Sequence, residues 1–273
     1  MYGIQIAFRD YRIGKGIVGS EWVGLKWFID FLSDPKFMEI FMNTLILSLY
    51  EFLAFPIPII LALLMNSMRS ERYKKTIQTI GYIPHFISVT VFVAIINMLL
   101  SPVSGIYGNL YSMFGGKGYP SDFKSTAEAF RHIYVWSGVW QGAGWGTIIY
   151  TSALSGVSVE LHEAARVDGA SRFKRLIHID LPSIMPTVAI QLLLRIGSLI
   201  GVGFDKTYLL QTSLNLETSE VISTYVFKKG FGSVRDVSYS SAIGLFNTII
   251  NLILLLIANY TCNKITEKEV SLF

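Results

Sequence analysis

The chain has 273 residues, of which 52% are hydrophobic and only 15% are charged, whereas a soluble domain carries about 25% charged residues. This balance, with a mean hydropathy of +0.48, excludes an ordinary water-soluble surface and indicates contact with a lipid bilayer. The 14% aromatic content excludes a disordered chain, the single cysteine Cys262 excludes an intrachain disulfide, and the +4 net charge lies in short clusters that do not form a nucleic-acid-binding face.

Residues 1–37 form a predicted extracellular N-terminal segment, and five apolar runs follow it. Each run has the roughly 20 residues that a helix needs to cross a bilayer, and none alternates in the way of a β-barrel strand. The predicted spans are 38–66, 77–100, 132–153, 184–204 and 239–261. The fold class is therefore an all-α, polytopic membrane bundle, with a transmembrane domain over 38–261.

Lysine and arginine are densest in residues 67–76, 155–183 and 262–273, which predicts that these segments are cytoplasmic. The amino terminus then lies outside and the tail 262–273 inside. Residues 1–37 contain no signal-peptide pattern that could carry them across the membrane. We therefore expect a further span upstream, the first of six.

The cytoplasmic loop 155–183 reads as two short helices joined by a turn. Ser158 is the predicted N-cap of the first helix, and Gly169 is predicted to end it in a left-handed conformation. Ser171 is predicted to cap the second helix and Pro182 to stop it. From the pattern alone, this hairpin is either an interfacial element on the inner leaflet or a docking element for a partner.

Small and polar residues mark the predicted spans. Three glycines at every fourth position are predicted to pack against another helix, with a tryptophan-lined sugar path as the alternative: Gly138, Gly142 and Gly146. Glu51 and Arg195 either pair or line a translocation cavity, and a cavity-facing location is favoured for both. The other candidate translocation residues are Gln141, Trp145 and Asn247. His162 and His178 are predicted to be exposed rather than to bind metal, so no metal site is expected.

The order Glu163, Ala164, Ala165, Gly169, Ile179, Leu181 and Pro182 resembles the EAA signature of binding-protein-dependent ABC importer permeases. The strings YGIQIAF, YIPHFIS, WQGAGWGTIIY, GFDKTYLLQ, EVISTYVFKKG and SSAIGLFNTIINLILL are similar to the oligosaccharide and polysaccharide branch of that family. The resemblance covers essentially the whole chain. It implies the type I importer permease fold.

The resemblance also implies function and partners. The loop would be a coupling helix that docks on a cytoplasmic ATPase, and the residues that carry this role would be Glu163, Ala164, Ala165, Asp168, Gly169, Leu181 and Pro182. A second permease subunit, two ATPase subunits and an extracellular sugar-binding protein would complete the importer. The chain has no phosphate-binding loop and no catalytic constellation, so ATP and Mg²⁺ would bind the ATPases and this chain would be no enzyme. The alternative function is a sugar carrier driven by an ion gradient.

Overall fold

The computed structural model describes residues 2–232 and 235–265, without the side chains of residues 262–265. Within these ranges the chain is mostly helical, and the one sheet pairs strand β1 (Arg9–Asp10) with strand β2 (Glu21–Trp22). The helices are α1 (Gly16–Gly19), α2 (Lys26–Leu32), α3 (Phe37–Leu53), α4 (Pro56–Asn66), α5 (Glu71–Tyr82), α6 (Val89–Leu99), α7 (Ile106–Met113), α8 (Ala127–Ser155), α9 (Val159–Val167), α10 (Arg172–Arg175), α11 (Leu181–Gly197), α12 (Phe204–Leu210), α13 (Leu216–Ser219), α14 (Ile222–Phe231) and α15 (Val237–Ile265). The predicted tail 262–273 lies mostly outside the described residues.

Among the described residues, three helical stretches are long and apolar enough to span a bilayer: Phe37–Asn66, Arg172–Gly197 and Val237–Thr261. A bent pair of helices makes a fourth if it is counted as one span. The predicted span 132–153 is not among them, although it lies within the 29-residue helix α8. The reason is composition, since the glycines, tryptophans and tyrosines of α8 contribute little hydropathy. Length and hydropathy therefore identify three or four of the five predicted spans in the described residues.

The predicted span 77–100 is not one straight helix. The stretches Glu71–Phe86 and Val89–Leu99 meet at an angle of 103°. Pro84 has no backbone N–H to donate, the chain tightens into a 3-10 turn over Ile83–Phe86, and Ile87 is extended. We call Ile83–Ser88 the bend.

The predicted fourth span also has different ends. The helical path runs from Arg172 through a π-helical turn, Leu176–Asp180, into α11, so Pro182 does not stop it. Pro182 lies in the first turn of α11, where a missing N–H costs little, and the wider π turn precedes it. The span ends at Gly197 rather than at residue 204. Beyond it, Asn251 accepts a hydrogen bond from the Ile200 amide at 2.9 Å.

The chain divides into two compact units. The first unit contains the residues up to Tyr50, Val89–Tyr134 and Ser198–Leu254. Aromatic and aliphatic side chains from distant parts of the sequence form its core: Phe31, Ile40, Ile200, Ile222, Tyr225, Tyr239 and Ile243. Phe31 contacts the rings of Phe37 and Phe246 edge to face, which is a favourable aromatic geometry.

The second unit contains Glu51–Ser88, Val135–Gly197 and the residues from Leu255 onward. Its core is aliphatic and joins α4, α8 and α11: Ile59, Ala62, Leu63, Tyr150, Leu154 and Ile184. Val157, Leu176 and Leu181 pack against this core. Both chain segments that lead to the loop 155–183 are thus fixed to the same apolar cluster.

A polar stretch of the first unit, Gly203–Phe231, contains no apolar span but buries several polar side chains. We call it the buried polar segment. Asn215 is completely buried and donates hydrogen bonds to the carbonyls of Lys124 and Leu210 while it accepts one from the Thr212 amide. Each buried polar atom of this side chain therefore has a partner, as burial requires.

Candidate functional site

The helix α9 lies in the loop that the sequence singles out, and its ends are held by local hydrogen bonds. Ser158 accepts a hydrogen bond from the Glu160 amide at 3.1 Å, as its predicted N-cap role requires. At the other end, Gly169 has a φ of +74° and the Ala170 amide donates to the carbonyl of Ala165 at 2.8 Å. This is a Schellman ending, so the predicted left-handed turn at Gly169 is confirmed.

The second predicted cap is also present. Ser171 accepts a hydrogen bond from the Lys174 amide at 3.3 Å, at the start of α10. The turn between α9 and α10 passes through Gly169, because a glycine adopts a positive φ without the strain that a side chain would cause. The hairpin prediction is confirmed up to Arg175, beyond which the helix continues.

The face of α9 that carries the EAA residues is exposed. No residue of α9 is buried, and Val167 is 88% exposed. The predicted coupling residues that are exposed are Glu163, Ala164, Asp168, Gly169 and Pro182, whereas Ala165 and Leu181 are half-buried. Small alanines beside an exposed carboxylate leave room for another protein surface to approach the helix backbone closely.

Another face of α9 is attached to the π turn Leu176–Asp180, in the same unit, by a histidine. The imidazole Nε2 of His162 lies 3.1 Å from Oδ1 of Asp180, a carboxylate in the π turn, and Nδ2 of Asn66 donates to the same oxygen at 3.5 Å. The His162 side chain is only 22% exposed, so its predicted exposure is wrong. The sequence could not show this because Asp180 is 18 residues away along the chain. His178 is exposed as predicted, and its Nδ1 donates to the Lys174 carbonyl.

Two ionisable residues of the predicted spans, Glu51 and Arg195, pair with each other. Nη2 of Arg195 lies 3.2 Å from Oε2 of Glu51, and their side chains are 41% and 24% exposed. The sequence leaves open whether they pair or line a cavity, and the structure shows the pair. Pairing lowers the cost of placing either charge at membrane depth.

Helix α8 holds the bend of the second unit with one face. Nε2 of Gln141 donates to the carbonyl of Ile87, the extended residue of the bend, at 3.2 Å. Trp145 stacks on the ring of His85 with 4.6 Å between ring centroids. Gln141 and Trp145 are four residues apart, so they lie on the same side of α8.

The glycine between them, Gly144, lies very close to the backbone of α5. A Cβ atom at Gly144 would lie 2.1 Å from the Gly81 carbonyl oxygen, so only a glycine fits there. Sequence reasoning missed Gly144, because it does not belong to the regular stripe of Gly138, Gly142 and Gly146. In that stripe, Gly146 lies against Pro58 and Gly142 faces open space among the described residues. A packing role for the stripe stays a prediction.

The first unit contains Asn247 and a polar cavity that the sequence did not indicate. The Oδ1 atom of Asn247 is buried and has no hydrogen-bond partner among the described residues. The cavity has a volume of about 460 Å³, and Tyr50, Arg131 and His132 line it. The Tyr50 hydroxyl lies 2.8 Å from Nδ1 of His132, and Nη2 of Arg131 donates to Asn43. The one sequence feature that could have indicated this cavity is the pair of basic residues Arg131 and His132 at the start of the predicted third span.

Comparison with known proteins assigns the family. The model of the family described as "Binding-protein-dependent transport system inner membrane component" matches residues 54–266, which is most of the chain. The chain belongs to this family. It is therefore a multi-pass inner-membrane permease, and the predicted all-α importer fold is confirmed.

Named relatives agree with this assignment. The chain is 41% identical over 271 residues to the polygalacturonan/rhamnogalacturonan transport system permease protein YteP of Bacillus subtilis (strain 168), a match that covers 99% of this chain and 84% of the relative. It is also 41% identical to protein LplB of the same organism over 98% of this chain and 84% of the relative.

Two solved structures share the fold. One is a bacterial ABC transporter involved in the import of the acidic polysaccharide alginate, with a TM-score of 0.88 and 36% identity over 97% of this chain and 88% of that chain. The other is a bacterial alginate ABC transporter in complex with an alginate pentasaccharide-bound periplasmic protein, with a TM-score of 0.88 and 35% identity over 99% of this chain and 88% of that chain. The family assignment favours the ABC permease over the ion-gradient carrier.

Within the described residues, no group of three or more histidine, cysteine, aspartate or glutamate side chains could hold a metal ion. The family is one of transporter permeases rather than enzymes.

Proposed function

We propose that the chain is the permease subunit of an ATP-driven oligosaccharide importer and forms half of its translocation pathway. A second, related permease would form the other half. Two cytoplasmic ATPase subunits would bind ATP and Mg²⁺, and an extracellular or periplasmic sugar-binding protein would deliver the cargo. The amino terminus would lie outside the cell, and α9 would lie in the cytoplasm.

The observation that carries this proposal is the two-sided construction of α9. Its outer face presents Glu163, Ala164 and Val167 to solvent, whereas its inner face is tied to Asp180 through His162. A helix that is exposed on one side and anchored on the other can transmit the movement of a partner to the membrane bundle. Glu163 would contact basic residues of the ATPase.

The residues on either side of α9 would determine which helices move with it. Leu154 and Val157 precede α9, and Leu176 and Leu181 follow it, and all four belong to or pack on the core of the second unit. Close-packed cores transmit displacement with little compression. Closure of the ATPases on ATP would therefore shift α8 and α11 together and turn the pathway toward the outside, as a two-state permease requires.

The proposed cargo class comes from the relatives. The names of the similar proteins refer to polygalacturonan, rhamnogalacturonan and the acidic polysaccharide alginate. The ion pair of Glu51 with Arg195, the side chains of Gln141 and Trp145, and the unsatisfied oxygen of Asn247 offer charged, aromatic and hydrogen-bonding groups that suit a sugar. We place these five residues along the translocation path.

The experiment uses the complete importer in vesicles and measures uptake and ATP hydrolysis together. In a Glu163→Lys, Gly169→Val variant, we expect uptake to fall by about tenfold or more while the ATPases still hydrolyse ATP, because the exposed charge and the left-handed turn are both lost. The amount of importer inserted in the vesicles is measured as well, and uptake is expressed per inserted importer.

The matched control is Glu39→Lys with Gly24→Val. Glu39 is an exposed carboxylate at the start of α3, and Gly24 has a φ of +62° with open space where a Cβ atom would lie. The control therefore repeats the charge reversal and the backbone strain far from α9 in sequence. Normal uptake by the α9 variant, or the same loss in the control, would overturn the coupling role.

A further inference from the structure

A cavity of about 820 Å³ lies in the second unit on the anchored side of α9. His162 and Arg166 line it from α9, and Asn66, Arg172 and Asp180 line it from neighbouring elements. His162 and Arg166 are four residues apart, whereas Ala164 and Val167 lie on the other side of the helix. The cavity thus lies beside the surface proposed to contact the ATPase, on the side of α9 away from Ala164 and Val167.

The cavity carries an excess of positive charge. Its charged lining consists of four arginines and two acids: Arg69, Arg166, Arg172, Arg175, Glu71 and Asp180. The acids already have partners, since Asp180 contacts His162 and Glu71 pairs with Lys74 at 4.0 Å.

The arginines lack such partners. None of the four forms an ion pair with any residue that the structure describes. The Nε atom of Arg175 is buried and has no hydrogen-bond partner among the residues that the structure describes. A buried donor without an acceptor is costly, which indicates that an acceptor from another molecule belongs there.

The cavity lies where two candidate membrane spans end. Asn66 ends the apolar stretch Phe37–Asn66, and Arg172 begins the apolar stretch Arg172–Gly197. Two stretches that are long and apolar enough to span a bilayer therefore end at the cavity, which is where we expect phospholipid headgroups to lie. Leu64 and Phe173, close to these ends in sequence, have side chains that are 54% and 69% exposed and that acyl chains can contact.

We propose that this cavity binds the phosphate group of an anionic membrane phospholipid such as phosphatidylglycerol. Guanidinium groups bind phosphate oxygens through paired hydrogen bonds, and basic pockets between membrane helices select anionic headgroups. A bound headgroup would neutralise the arginines and brace α9 against the ends of α4 and α10. The inference rests on the proposed function only in assigning this surface to the cytoplasmic leaflet.

The test measures the phospholipid that stays bound to the purified importer complex, by native mass spectrometry, after exposure to equal amounts of phosphatidylglycerol and phosphatidylcholine. We expect selective retention of phosphatidylglycerol. The Arg69→Gln, Arg172→Gln, Arg175→Gln variant leaves α9 unchanged and should weaken retention about a hundredfold, which is about fivefold for each charge removed. Lysine at the same three positions should restore most of it.

The control removes three cations from segments next to the cavity, with Arg72→Gln, Lys75→Gln and Lys174→Gln. None of these residues lines the cavity, so retention should change less than about threefold. Equal retention of the two lipids, or an equal loss in the control, would overturn the proposal. Displacement of the lipid by millimolar inorganic phosphate would also overturn it and assign the site to free phosphate. Lipid retention is measured without sugar uptake. A negative result would therefore contradict the lipid site and leave the proposed importer function unaffected.

Discussion

Two polar parts of the chain, α9 and the buried polar segment, contrast in burial. The helix α9 has no buried residue, and neighbouring side chains and amides hold its ends. The buried polar segment, Gly203–Phe231, contains four completely buried polar side chains, and one of them, Asn215, bonds to the Lys124 carbonyl 91 residues away. Polarity in the sequence therefore does not decide exposure. Polar side chains are buried where hydrogen-bond partners, local or distant, are available to them.

The contrast also separates two kinds of contact. Ser158 accepts a hydrogen bond from the amide of Glu160, two residues away, so this cap needs no contact with the rest of the fold. Thr44 in α3 accepts from the Ile222 amide, which is 178 residues away, and Asn43 donates to the Glu217 carbonyl. The first kind is a property of a short peptide. The second kind exists only when the first unit has folded.

The largest expected effect comes from a distant contact between two backbones. Gly144→Ala should lower the free energy of unfolding by about 3 kcal/mol, because the new methyl group would overlap the Gly81 carbonyl and force α5 and α8 apart. Thermal unfolding of the detergent-solubilised protein would measure it.

The control for this change lies two residues earlier in the same helix. Gly142→Ala meets open space in the described structure and should leave stability unchanged or raise it by up to about 1 kcal/mol, because alanine favours helix. If both variants unfolded at the same temperature, the close approach of Gly144 and Gly81 would be wrong.

A medium effect should distinguish the buried polar segment from α9. Asn215→Ala leaves buried donors and acceptors without partners and should cost about 2 kcal/mol of unfolding free energy, whereas Ser158→Ala removes one exposed cap and should cost about 1 kcal/mol. Chemical unfolding of both variants measures the difference. An equal or larger cost for Ser158→Ala would remove the contrast between the two segments.

The smallest effect concerns Asp34, which precedes α3. Burial raises the pKa of its carboxyl, but hydrogen bonds from the Tyr225 hydroxyl, the Lys36 amide and the Tyr239 hydroxyl together lower that pKa below its ordinary value. Because the folded pKa is the lower one, the stabilisation is present above the unfolded pKa and is lost as the pH falls through the folded pKa.

We therefore expect Asp34 to contribute less than about 1 kcal/mol, because the group is only partly buried, and to lose this contribution below about pH 4. Unfolding temperatures of the native protein and of Asp34→Asn, compared from neutral pH downward, would check it. The two should differ at neutral pH and converge in acid. A constant difference across the pH range would contradict the role of the ionised carboxylate.

Several features of the candidate site could be predicted from the sequence. Ser158, Gly169 and Ser171 are recognisable as helix ends because capping depends on side chains within a few residues of the backbone groups they satisfy. Glu51 and Arg195 stand out because charges are rare in apolar spans. The pairing itself, like the contact of His162 with Asp180, joins residues that no local pattern relates.

Composition and local pattern thus determined by themselves that this chain is a helical membrane protein with an exposed, capped helix between two long hydrophobic segments. Tertiary structure decided the rest. The bend near Pro84, the passage of helix through Pro182 and the fit of Gly144 on Gly81 depend on which surfaces meet. The physical reason is range: capping and hydropathy act within a few residues, whereas close packing and buried hydrogen bonds need partners that only folding brings together.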